Sequence, residues 1–76
     1  MVRAYVLTSA VAGKALEVAA ALKNQPGVVQ ADAITGEYDV IALVEANDVA
    51  GVGRLVVERV QAAPGVIKTI TCLVVQ

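Results

Sequence analysis

Few side chains in this sequence of 76 residues can do covalent or proton-transfer chemistry. Histidine is absent, and Cys72 is the only cysteine. A Cys–His or Ser–His–Asp arrangement is therefore excluded, as is a His/Cys zinc site. Asp32 and Glu45 are the only acids in the body of strand-like segments. Each is an isolated carboxylate, which allows general acid–base work but does not point to it. Gly51 and Gly53 stand near a helix start, yet no phosphate-loop pattern surrounds them. They read as sites of close helix packing. Two polar stretches remain, Thr35-Gly36-Glu37-Tyr38-Asp39 and Lys68-Thr69-Ile70-Thr71. Taken alone, Gly36 and Asp39 are ordinary turn residues, and paired β-branched threonines are ordinary strand residues. Tyr38 can simply cover a sheet edge. Cys72, between apolar neighbours, reads as an inert core residue.

The length allows one domain, residues 1–76. Hydrophobic residues make up 58% and charged residues 17%, which excludes a disordered tail. The net charge is −1, with two tyrosines, no Phe and no Trp, so direct nucleic-acid binding is not expected. No apolar run approaches the length of a membrane span. The start, Met1-Val2-Arg3, leads straight into a strand-like segment and does not resemble a secretion signal. A lone cysteine allows no internal disulfide and suits a reducing compartment. These features predict a small cytoplasmic protein with no cofactor.

An internal repeat organises the elements that carry these residues. Pro26-Gly27-Val28 recurs as Pro64-Gly65-Val66, half the chain length later. At the same offset Val2, Ala4 and Val6 match Val40, Ala42 and Val44, and Val11-Ala12-Gly13 matches Val49-Ala50-Gly51. Each half reads strand, helix, strand. Helices are predicted over 12–24, capped by Ser9, and over 49–62, capped by Asn47 or Asp48. The first carries a stripe of Val11, Ala15, Ala19 and Leu22. The second carries Val52, Leu55, Val56 and Val60, with Arg54 and Glu58 as an exposed pair. Each Pro-Gly step stops a helix, because proline removes a donor and glycine accepts positive φ. Residues 35–39 turn between two antiparallel strands.

The resulting order, βαββαβ, is an α+β ferredoxin-like fold. It has a four-stranded antiparallel sheet with two helices on one face. Val2, Ala4, Val6, Val40, Ala42 and Val44 suit the face beneath the helices. The other face then carries Tyr5, Leu7, Ile41 and Leu43, with Arg3 and Glu45 towards the strand ends. A sheet face open to water should be polar, and this one is not. Each large apolar side chain withdrawn from water contributes roughly 1.5–3 kcal/mol. Sheet-to-sheet pairing of two copies, a dimeric α+β barrel, is the simplest cover.

The Thr35–Asp39 turn, the strand Val40-Ile41-Ala42-Leu43-Val44, then Asp48, Leu55, Pro64-Gly65-Val66 and Lys68-Thr69-Ile70-Thr71 together carry a family resemblance. The chain resembles the effector-binding (RAM) domain of the Lrp/AsnC transcriptional regulators. The resemblance spans nearly the whole chain and is strongest over 35–75. It implies dimers joined through their sheets, further assembled into rings of dimers, with a small effector, commonly an amino acid, held between neighbouring dimers. It implies ligand contacts at Gly36, Tyr38 and Asp39 in the turn and at Thr69 and Thr71 in the last strand. In that role Gly36 would admit a ligand carboxylate to backbone N–H groups. Asp39 would accept from an α-ammonium, and the threonines would offer two hydroxyls from one side of a strand. Tyr38 would wall the pocket. The typical member has a helix-turn-helix domain ahead of this module. The chain therefore resembles a stand-alone form that co-assembles with a full-length Lrp/AsnC regulator, senses or stores an amino acid, or acts with another partner.

Three other readings remain open from the residues. One is a small enzyme of the dimeric α+β barrel type, using Asp32 or Glu45. Another is an ACT-type sensor, whose ligand loop would fall at Thr8-Ser9-Ala10-Val11-Ala12-Gly13. The last is a purely structural oligomerisation module.

Overall fold

In the computed structural model, which describes residues 1–76, the chain runs through two strand–helix–strand units. Strand β1 (Val2–Ala10) leads to helix α1 (Ala15–Lys23) and strand β2 (Val28–Ala33). Strand β3 (Val40–Ala46) leads to helix α2 (Val49–Leu55), a π-helical turn over Val56–Val60, and strand β4 (Val66–Leu73). The sheet order is β2-β3-β1-β4, and every neighbouring pair is antiparallel. The predicted ferredoxin-like βαββαβ arrangement is therefore the one observed. The first strands of the two repeats, β1 and β3, form its central pair.

Period-two alternation explains which residues are inside. Ala4 faces Val44, Val6 faces Ala42, and Thr8 faces Val40, and all six are fully buried beneath the helices. Helix α1 adds Val18, Ala19 and Leu22 to this core. Helix α2 adds Val52 and Leu55, and the π-turn adds Val56 and Val60, as the stripe in the sequence predicted. The Pro-Gly steps behave as expected, with φ +88° at Gly27 and +93° at Gly65. A Cβ on Gly27 would also meet Leu55 Cδ1 and the Glu45 carbonyl oxygen, so a side chain there would require the buried Leu55 to shift as well. Asp48 caps α2 by accepting the Gly51 N–H at 2.6 Å.

Several local expectations are corrected. Ser9 does not cap α1, because β1 continues through it: Ser9 pairs with Lys68 in the β1–β4 ladder. The helix begins only at Ala15, after Gly13, and Lys14 at its N-cap makes no side-chain capping bond. Val11 consequently lies outside the helical stripe and is exposed. Arg54 and Glu58 form no ion pair, since the π-turn that starts at Val56 changes the residue spacing between them. Gly53 meets no packing partner, whereas Gly51 sits tightly against Ala46. Cys72 is not in the core. It projects from the sheet face away from the helices, opposite Tyr5, and is exposed.

Candidate functional site

The turn after β2 opens with Gly36 at φ +127°, and nothing lies within 4 Å of where its Cβ would be. No side chain therefore crowds this point of the turn. Tyr38 is half-buried, and the Lys68 ammonium lies 6.0 Å from its ring centre, at the outer limit for a cation–π contact. Asp39 is the most firmly held residue of the turn. Its carbonyl accepts from the Ile34 N–H at 2.8 Å, and its own N–H donates to the Thr8 carbonyl at 2.9 Å. One carboxylate oxygen, Oδ2, accepts from the Ala10 N–H at 2.8 Å. That bond falls where the β1–β4 register shifts between Ser9 and Ala10.

Thr69 and Thr71 project from one face of β4, as their two-residue spacing predicts. It is the helix-side face, because Thr69 stands opposite Thr8 and Thr71 opposite Val6. The Thr69 hydroxyl accepts from Gln61 Nε2 at 3.0 Å. The Thr8 hydroxyl beside it is completely buried and has no hydrogen-bond partner. Thr71 is open to solvent and lines an apolar groove of about 350 Å³ with Val49, Val52, Gly53, Val56, Val57 and Leu73.

The structure therefore brings Tyr38, Asp39 and the start of β4 to one end of the sheet. It does not gather all five expected residues around one cavity in a single chain. Thr71 alone of the five lines a concavity, and Lys68 leaves β4 on the face opposite to the two threonines. Gln61 and Ala10 join these residues without a local signal in the sequence, since Gln61 falls in the last turn of the predicted helix and Ala10 contributes only its backbone.

The face away from the helices carries the apolar patch expected of it. Tyr5 pairs with Leu43 and Cys72, and Leu7 pairs with Ile41 and Ile70. Tyr5 is 45% and Ile70 41% exposed. Asp32 lies at the margin of this face, exposed and accepting from Gln30 Nε2 at 2.9 Å. Glu45 is paired with Arg3 at 3.0 Å. In the single chain both acids are open to solvent at least in part. At the far end of the sheet, Glu45, Asp48, Arg54, Glu58 and Arg59 line a polar hollow of about 440 Å³, with charges of both signs intermixed.

Comparison with known proteins agrees with this architecture. A family model described as the Lrp/AsnC ligand binding domain matches residues 3–76. The structure of TTHA0845 from Thermus thermophilus superposes with a TM-score of 0.92 at 29% identity, covering 100% of this chain and 95% of that one. The hypothetical protein PHS023 from Pyrococcus horikoshii gives 0.90 at 32% identity, covering 100% and 92%. The Neisseria meningitidis transcriptional regulator NMB0573, solved as a complex with L-Met, gives 0.84 at 25% identity, covering 99% of this chain and 50% of that one. No curated protein sequence matches the chain.

Proposed function

The chain belongs to the Lrp/AsnC ligand binding domain family, a family of regulatory ligand-binding modules, and on that premise we propose that it is an oligomeric, non-catalytic sensor of an amino acid. The observation that carries this reading is the match to that domain over residues 3–76. The regulator solved with L-Met, at 25% identity, supports an amino acid as the ligand class. The open backbone at Gly36 and the exposed Thr71 hydroxyl are compatible with a zwitterion, which needs donors for a carboxylate and acceptors for an ammonium. Asp39 Oδ1 makes no hydrogen bond within the chain and is the natural acceptor for that ammonium.

In this reading two copies pack through their exposed sheet faces, burying Tyr5, Leu7, Ile41, Leu43 and Ile70, and pairs of dimers bring the turn of one chain towards the β4 threonines of another. The ligand site of Gly36, Tyr38, Asp39, Thr69 and Thr71 is then completed between subunits. The module works in the cytoplasm, as a free Cys72 suits. Its route to transcription is co-assembly with a full-length Lrp/AsnC regulator.

Calorimetry and thermal-shift measurements against the twenty amino acids, L-methionine first, test the proposal. Binding and stabilisation by at least one are expected. No binding by any at millimolar concentration contradicts it.

A further inference from the structure

We propose that Asp39 is a positioning residue that couples the turn of its chain to β4 of the same chain, and so links the two parts that one chain contributes to neighbouring ligand sites. The inference rests on the ligand-site reading above, and it assigns Asp39 a task that a ligand contact alone would not include. Three hydrogen bonds converge on this residue. Its carbonyl closes the turn to Ile34, its N–H holds the Thr8 carbonyl, and its Oδ2 takes the Ala10 N–H, at 2.8, 2.9 and 2.8 Å. Thr8 is the cross-strand neighbour of Thr69. Immediately after Ala10, the Val11 N–H donates to the Gly65 carbonyl at 2.8 Å, one residue before β4 begins. Asp39 thus grips β1 at two points that each lead directly into β4.

The carboxylate matters at the place where regular pairing gives out. The β1–β4 register shifts between Ser9 and Ala10. A backbone N–H at such an irregularity needs an acceptor, and a buried donor left without one is costly. Asp39 Oδ2 supplies that acceptor with a charge-assisted bond, which is stronger than a neutral one. Anchoring Oδ2 also fixes where Oδ1 points. The position of the turn, the irregularity in β1 and the start of β4 are therefore held as one unit. A ligand that draws on the Asp39 carboxylate acts at the same time on the strand that carries Thr69 and Thr71.

Residue-resolved amide exchange on Asp39→Ala and Asp39→Asn tests this without any ligand. In the alanine variant, exchange at Ala10 and Val11 accelerates at least tenfold, and the change extends into residues 66–69. In the asparagine variant the amide oxygen accepts from Ala10, and both regions return to within about threefold of the parent. Faster exchange confined to residues 34–39, or unchanged exchange in Asp39→Ala, overturns the proposal. Titration with L-methionine, or with whichever of the twenty amino acids stabilises the parent most, gives the second readout. Asparagine is expected to recover at least tenfold of the affinity that alanine loses, while still binding more weakly than the parent. Equal affinity of the two variants overturns coupling and leaves Asp39 a charge contact only. If the parent binds no amino acid, the functional reading falls, while the exchange result alone decides the coupling.

Discussion

The Asp39 carboxylate and the Thr8 hydroxyl lie at the same end of the sheet and have opposite fates. The first has its Oδ2 satisfied by the Ala10 N–H, and the second is buried with no partner. An unpaired buried hydroxyl costs about 1–3 kcal/mol, and an apolar group of the same shape removes that cost. Thr8→Val is therefore expected to stabilise the fold by about 1 kcal/mol, which for a domain of this size raises Tm by roughly 4–8 °C. A thermal melt of the variant checks it, and a lower Tm would show that the hydroxyl is satisfied. Both residues were visible in the sequence as polar positions in or beside strands. The partners of Asp39 and of Thr69 were not, because the Asp39–Ala10 bond spans 29 residues and the Gln61–Thr69 bond spans 8. Side-chain chemistry lists what a residue can bond to, but only the fold chooses which donor arrives.

At the scale of elements, periodicity was a sound guide and boundaries were not. The alternation of Val2, Ala4 and Val6 and the stripe of Val52, Leu55, Val56 and Val60 selected the buried faces correctly, because burial acts on every residue of an element together. Ser9 misled because serine is an N-cap only where a strand has already ended, and β1 is held to Ala10 by pairing with β4. Tertiary pairing outweighed a local capping preference. The π-turn was equally hidden, since its residues form an apolar pattern that an α-helix would also satisfy. The Pro-Gly steps were legible because they combine steric and conformational demands. Gly27→Ala is expected to destabilise by about 1–3 kcal/mol from positive φ alone, with the Leu55 collision adding to it. Denaturant unfolding should show the full loss. A change below about 0.5 kcal/mol would mean that the backbone relaxes freely there.

For the whole molecule, the decisive feature is a sheet covered on one face only. Both α1 and α2 with its π-turn pack on the side of Val6 and Val44, leaving Tyr5, Leu7, Ile41, Leu43 and Ile70 across the other. Ile41→Glu would set a charge near the middle of that patch in each copy. With each apolar contact worth roughly 1.5–3 kcal/mol and two copies affected, self-association should weaken by about 10²- to 10⁴-fold. Sedimentation of this variant should show single, folded chains, and an unchanged assembly would place the contact elsewhere. Self-association and amino-acid binding belong together in this molecule, and native mass spectrometry of freshly purified protein measures both at once. Even-numbered assemblies are expected, carrying amino-acid-sized mass increments retained from the cell or restored by L-methionine or another of the twenty. A bare single chain that takes up none of them would contradict that expectation.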